Sequence, residues 1–494
     1  MLFLKSVDLK KEKIESLVIP VCEDKNIHED KTIHSLIRKA KKIKAFKGGK
    51  DDEIALYNLS EVKAESVIFF GLGKHDKIDM EAMRAMSGKA AKGGIKKEFS
   101  EVFMAVPAAG KINVEMPSAL EAMMEGAFLG NHLFDKYKKE KKYHPIKKIN
   151  FLVNADAAEK YSKLPSRVET VCQGTVLARE WVSMPPNDKK PERFTKSIVT
   201  LAKKENLKVT VLDEKELKRK KFGAILAVGA GSRSKPRMVV LEYNPARAKK
   251  TVVFVGKGVT FDSGGINLKP SASLLDMKLD MSGAAAVAAT LITAARLKSK
   301  SKLIGVIPIV ENMPSGDASR PGDIIKSYEG KTIEIGNTDA EGRLILIDAI
   351  SYAIKKYKPQ ILIDLATLTG ACVVALGEKI AGVFSFDDKL AEDVILSGEK
   401  VHERCWRMPL PEDYKKLLKS DFADLSNIGS TRYGGAITAA LFLSEFVGDT
   451  CWSHIDIAGP AYAQKESAYC GVGGTGFGVR LLCRRNRLWR PVAL

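Results

Sequence analysis

"TVVFVGKGVTFDSGGINLKPSASLLDMKLDMSGAAAVAATLITAARL" (251–297) sets an apolar run of strand length ahead of a polar loop and an alanine-rich run of helix length. A strand with one face in water alternates apolar and polar residues, whereas "TVVFVG" (251–256) has no polar side chain after its threonine. It predicts a strand covered on both faces. "MSGAAAVAATLITAARL" (281–297) predicts a helix whose small side chains let it lie close to a sheet. Working outward, "LKVTVL", "AILAVG", "RMVVLEY", "KLIGVIPIV", "QILIDLA" and "SHIDIAG" are further apolar runs of strand length, and "GRLILIDAISYAIKKY" (342–357) predicts a second helix. Strands apolar on both sides and separated by helices imply an α/β fold with a largely parallel central sheet covered by helices on both faces.

Upstream, "SLVIPV", "ESVIFFGLG", "EVFMAVP" and "KINFLVN" alternate with lysine-rich segments, which predicts a smaller N-terminal α/β domain over 1–165. "SRVETVCQGTVLAREWVSMPPNDKKPERF" reads as a helix stopped by Pro185 and Pro186, a join over 166–190 that leads into a C-terminal domain over 191–494. A chain of 494 residues exceeds one ordinary core, in keeping with two domains. No apolar run approaches the roughly 20 residues that span a bilayer. "MLFLKSVDLKKEK" lacks a signal peptide's apolar core, and the seven scattered cysteines show no CxxC spacing. These features predict a cytoplasmic protein with free thiols. The formal charge of +20 is spread over "RKAKKIKAFKGGK", "KYKKEKKYHPIKK", "KELKRKKF" and "CRRNRLWR". No helix-turn-helix, zinc-finger or RNP-type pattern accompanies these clusters, so solvated helix faces explain them, with nucleic-acid binding as the alternative function.

The chemistry concentrates at strand ends, where sheets of this kind build their sites. After "TVVFVG" come Lys257, Asp262 and Lys269; Asp280 precedes the 281–297 helix; "IEIGNTDAEGR" supplies Asp339, Glu341 and Arg343. In extended chain the last three would point the same way. Singly, each has a plain explanation: a helix cap at Asp280 or Asp339, a turn at "DSGG", surface lysines. Jointly, four carboxylates beside apolar strands would cost several kcal/mol each if left unpaired, and divalent cations remove that cost. No HExxH or His/Cys cluster is present, so oxygen-rich ligation of two cations, and hydrolysis, is the chemistry this set fits. A lysine there acts neutral as a ligand or protonated as an oxyanion stabiliser, and two lysines leave room for one of each. Arg343 has too high a pKa to be a base and is read as holding an anion or steadying the intermediate. "GVGGTG" (471–476) satisfies GxGxxG, but little chain remains after it for a βαβ unit and no acidic residue follows.

At these residues the sequence resembles the leucyl aminopeptidase family, the cytosolic M17 metallopeptidases. The matching segments are "VGKGVTFDSGGINLKP", "MKLDMSGAAA", "ENMPSG", "NTDAEGRLILIDA", "DLATLTGA", "HIDIAG" and "GGTGFGVRLL". The resemblance implies a metal-dependent aminopeptidase that removes N-terminal residues, Leu and other apolar ones preferred, by attack of a metal-bridging water or hydroxide. It implies two divalent ions per subunit, zinc or manganese, with magnesium or cobalt as alternatives. Asp262 and Glu341 would bridge them, Lys257 and Asp280 complete the exchangeable ion, and Asp339 hold the tighter one. Lys269 would polarise the scissile carbonyl and Arg343 hold a bicarbonate acting as general base. Met277, Thr367, Gly370 and Ala458 would line the pocket for the first side chain. Known members act on peptides and are hexamers, so a homohexamer organised by the N-terminal domain is expected. Two departures stand out: Ala461 replaces a bulkier residue of some members, and the chain ends in "CRRNRLWRPVAL" where an apolar ending is expected.

Overall fold

A computed structural model of the chain describes residues 1–246, 248 and 250–484. The end of the basic tail, from 485 on, lies outside the described residues. The chain forms two compact units: Met1–Cys172 with Lys465–Val472, and Gln173–Gln464 with the chain from Gly473.

The first unit is built on a six-stranded sheet of β1 (Leu2–Lys5), β2 (Ile14–Cys22), β3 (Glu53–Tyr57), β4 (Ala64–Gly73), β5 (Glu101–Ala105) and β6 (Lys148–Leu152), in the order β1-β6-β5-β2-β4-β3. Only the β3–β4 pair is antiparallel. The distant segment Lys465–Val472 is tied in by Lys92, whose Nζ donates to Ser467 O at 2.6 Å and Cys470 O at 2.9 Å.

The second unit contains β7 (Lys208–Leu212), β8 (Arg237–Tyr243), β9 (Thr251–Gly256), β10 (Gly258–Asp262), β11 (Lys302–Asn312), β12 (Ile324–Lys326), β13 (Thr332–Glu334), β14 (Ile361–Ala366), β15 (Ala381–Phe384), β16 (Cys405–Arg407), β17 (Leu425–Ser426) and β18 (Trp452–Asp456). Nine of them form one sheet in the order β16-β15-β18-β14-β9-β11-β8-β7, with β10 paired to β11. Its centre, β18-β14-β9-β11, is parallel throughout. The chain steps from β9 to β11 on one side and then from β11 to β14 on the other, so the order reverses at β9. Such a reversal opens a crevice at the carboxyl edge of the strands.

Two helices cover this centre. A Cβ on Gly305 of β11 would meet Val287 and Leu291 of the helix Ser282–Arg296. Its neighbours Ile304 and Val306 belong instead to the core around the helix Glu341–Tyr357. Successive strand residues point to opposite faces, so the two helices lie on opposite sides of the sheet. Both fall within a residue of the spans expected from sequence.

One apolar run is not a strand. "AILAVG" lies in the helix Gly223–Gly229. Six apolar residues fit either structure by pattern alone, and the choice is made by Asp348, on the helix Glu341–Tyr357. Its buried carboxylate accepts from Ala224 N and Ile225 N, both at 3.0 Å, and from Tyr328 N at 2.7 Å. The first two amides open the helix and have no partner within it. Asp348→Ala is expected to lower the stability of this unit by about 3 kcal/mol, since it strands three inward donors. A chemical unfolding transition unmoved by the substitution would contradict that role.

Candidate metal centre

The carboxyl ends of β9, β10, β11, β14 and β18 share one edge, and each delivers a polar residue there. Lys257 follows β9; its backbone N donates to Leu365 O at 3.0 Å, and its carbonyl accepts from Ala284 N at 2.8 Å. The helix can come this close because residue 283 is glycine: a Cβ there would lie 2.0 Å from Leu365 O. Asp262 ends β10 opposite Asn312, the last residue of β11. Asn312 Nδ2 donates to Asp262 Oδ1 at 2.8 Å and to Thr338 O at 3.0 Å, fixing the Asp262 carboxylate and the loop before Glu341 together. Asp280 closes the short turn Met277–Leu279. Glu341 opens the helix Glu341–Tyr357, so its charge faces the amide end of the helix.

Four carboxylates converge around two lysines. Lys257 Nζ lies 2.8 Å from Asp280 Oδ1 and 2.8 Å from Glu341 Oε1, and donates to Thr367 O at 2.9 Å. Lys269 Nζ lies 2.9 Å from Asp262 Oδ2 and 2.6 Å from Asp339 Oδ1. Asp262, Asp280 and Glu341 each offer an oxygen within 4.8 Å of the others. All three are buried. Burial, with neighbouring carboxylates adding to it, raises Asp280 well above the ordinary carboxylate range and also raises Glu341 and Asp339. Burial alone would lower the lysines, but the surrounding carboxylates outweigh it and hold Lys257 and Lys269 above their usual value.

The set fits divalent cations. Four carboxylates against two ammonium groups leave an excess of negative charge in a buried place. Asp280 Oδ2 and Glu341 Oε2 are buried and accept no hydrogen bond among the described residues. Hard oxygen donors with an amine nearby are suited to zinc, manganese or magnesium.

Arg343 differs from the sequence expectation. Residues 341 to 343 are helical, not extended, so Arg343 does not simply continue the line of Asp339 and Glu341. Its buried guanidinium donates from Nη1 to Asn427 O at 2.8 Å, while its Nε finds no acceptor among the described residues. Burial pushes its pKa down to about 10, against the opposing pull of Glu341 and Asp456. An unsatisfied buried donor of this kind suits a bound anion.

Of the four residues expected to line a substrate pocket, Thr367 makes a definite polar contact, its Oγ1 donating to Asp280 Oδ1 at 2.7 Å. Met277 and Ala458 are half-buried and Gly370 is exposed. Asp456 draws two of these loops together, accepting from Leu368 N and Ala458 N at 3.1 Å each and from Thr369 Oγ1 at 2.7 Å. Sequence reasoning does not single out Asn312, Asn427 or Asp456. Asn312 and Asp456 do lie inside the quoted segments "ENMPSG" and "HIDIAG", where a polar residue closing an apolar strand is the available signal.

The catalytic-domain model of the cytosol aminopeptidase family matches residues 176–483, and the family's N-terminal-domain model matches residues 20–141. The chain belongs to the cytosol aminopeptidase family. Relatives include a "Probable cytosol aminopeptidase" of Syntrophotalea carbinolica, 42% identical over 92% of this chain and 92% of that protein. Another, of Cenarchaeum symbiosum, is 40% identical over 88% of each. Among solved structures, the bottromycin maturation enzyme BotP in complex with Mn superposes with a TM-score of 0.85 at 32% identity, over 95% of this chain and 98% of that one.

Lys257 owes its place to Gly342, where a Cβ would sit 2.6 Å from Lys257 Cε and 2.7 Å from Nζ. Gly342→Ala is expected to displace the Lys257 amine and cut aminopeptidase turnover on the order of a hundredfold, the cost of about 1 Å of misplacement, with circular dichroism unchanged. Wild-type turnover in a folded variant would show that Lys257 has no fixed role.

Proposed function

We propose that this protein is a two-metal aminopeptidase that removes N-terminal residues, Leu and other apolar ones preferred, from peptides. The observation that carries the reading is the buried convergence of Asp262, Asp280 and Glu341, with two of their carboxylate oxygens left without a donor among the described residues.

Asp262 and Glu341 would hold both ions, Asp280 and a neutral Lys257 one of them, and Asp339 the other. The ions would be zinc or manganese, with magnesium or cobalt as alternatives; BotP, solved with Mn, supports manganese. Two such ions supply Lewis acidity toward a carbonyl and a nucleophile at neutral pH. The surrounding carboxylates hold Lys257 above its usual pKa; beside bound dications that field would be reversed and the Lys257 amine would act as a neutral ligand. Lys269, less buried and between Asp262 and Asp339, would stay protonated and aim its ammonium at the oxygen that gains charge as the peptide bond is attacked. Arg343 would hold a bicarbonate by its unsatisfied Nε–H, and that anion would accept the proton of the attacking water. Met277, Thr367, Gly370 and Ala458 would surround the first side chain. Thr367 keeps Asp280 oriented through its hydroxyl, so pocket and cluster are joined at that residue.

By resemblance to known members, the protein would work as a cytoplasmic homohexamer, with residues 1–165 organising the oligomer, 166–190 joining and 191–494 carrying the reaction. No helix among the described residues is long and apolar enough to cross a membrane. The alternative, a nucleic-acid-binding protein of the same fold with peptidase activity secondary or lost, is less favoured, because the relatives that match most of the chain are named as aminopeptidases. Light scattering and a salt-titrated DNA shift assay test the oligomer and this alternative.

Chelated protein is expected to lose hydrolysis of leucine amide and to regain it with zinc, manganese or cobalt, while N-acetyl-leucine amide stays uncleaved. Lys269→Ala should lower turnover by about a hundredfold or more with metal content unchanged. Full activity after exhaustive chelation would refute the two-metal reading, and near-full activity of Lys269→Ala would refute the oxyanion role.

A further inference from the structure

Lys189 is fully buried and no carboxylate pairs with it among the described residues. Its Nζ donates to two backbone carbonyls, Val182 O at 2.9 Å and Lys278 O at 2.7 Å. Val182 belongs to the last turn of the helix Leu164–Ser183, where carbonyls lack helical partners and the helix dipole favours a positive charge. Lys278 lies 89 residues further along the chain, inside the turn Met277–Leu279 that ends at Asp280.

That turn is only partly covered. It follows Leu275, which is 79% exposed, and none of its three residues is buried. Its other ties run from Gln464 Nε2 to Asp276 Oδ2 at 2.6 Å on the exposed side, from Leu279 N to Asp276 O at 2.8 Å, from the Ser282 hydroxyl to Leu279 O, and more loosely from Asp280 N to Met277 O at 3.4 Å. The bond from Lys189 reaches the middle of the turn from a fully buried side chain, while the buried Ser282 hydroxyl holds its end at Leu279 O and Thr367 Oγ1 holds the Asp280 carboxylate itself. An apolar side chain of similar length would fill the same space without the cost of desolvating an ammonium. Burial pushes Lys189 well below the ordinary lysine value, with the Lys278 charge adding to it, so the position is costly for stability alone.

We propose that Lys189 is a positioning residue: by bonding Lys278 O to the end of the helix Leu164–Ser183 it fixes the Met277–Leu279 turn, and with it the Asp280 carboxylate in the acidic cluster. The proposal rests on the reading of Asp280 as a metal ligand. Partners that orient a ligand affect metal affinity and activity by about 10–100-fold when removed.

The test compares Mn²⁺ binding to chelated full-length wild type, Lys189→Met and Lys189→Gln by calorimetry, with thermal unfolding and leucine amide kinetics alongside. Lys189→Met is expected to melt at or above the wild-type temperature, yet bind Mn²⁺ about tenfold more weakly and lose about tenfold in kcat. Lys189→Gln, which keeps a donor on a shorter stem, should fall between. Either variant folded with wild-type Mn²⁺ affinity and kcat overturns the proposal. So does failure of both to fold, because the lysine would then serve the fold alone. Wild type that takes up no Mn²⁺ sinks the two-metal reading instead, a result seen before any variant is compared.

Discussion

Mutual repulsion among buried carboxylates is the constraint on which this architecture turns. Asp262, Asp280 and Glu341 come from three separate stretches and meet within 4.8 Å at the carboxyl edge of one sheet. Coulomb energy at such separations is large once water is excluded. In the structure Lys257 and Lys269 supply positive charge, but two ammonium groups do not balance four carboxylates. An arrangement this costly persists only where the scaffold imposes it and a ligand relieves it.

The scaffold imposes it by close backbone approach. Gly283 lets the helix Ser282–Arg296 press against β14, and Gly342 leaves room for the Lys257 side chain across the start of the other covering helix. Asn312, Asp456 and Asn427 then hold the loops in register by hydrogen bonds that span large gaps in sequence. Charge, fold and orientation are therefore one problem: the sheet reversal at β9 creates the crevice, and the polar residues closing each strand both fill and brace it.

Much of this can be read from the residues. "TVVFVG" and "QILIDLA" announce buried parallel strands because no face is left polar, and the two covering helices follow from their length and small or apolar residues. The acidic residues stand out because charges so close to apolar runs are unfavourable without a partner. What sequence reasoning misses depends on contacts distant along the chain. "AILAVG" is helical because of Asp348, more than a hundred residues away, and pattern alone cannot weigh that. β10 hides inside a polar loop because its partner is the far end of β11, and β15 and β16 are too short to show a period. Arg343 departs from the extended-chain expectation for a local reason: a helix begins at Glu341 and turns the third side chain aside. Lys189 looks like one more surface lysine in a basic chain, since nothing in "NDKKPERF" reveals that its side chain turns inward.

Manganese-edge anomalous diffraction from crystals of the protein grown with Mn²⁺ would locate the ions that relieve this repulsion. Two strong peaks per chain are expected among Asp262, Asp280, Asp339 and Glu341, with the Lys257 amine withdrawn from its ion pairs to face one of them. Carboxylates still clasped around both ammonium groups, with no peak between them at saturating Mn²⁺, would contradict that expectation.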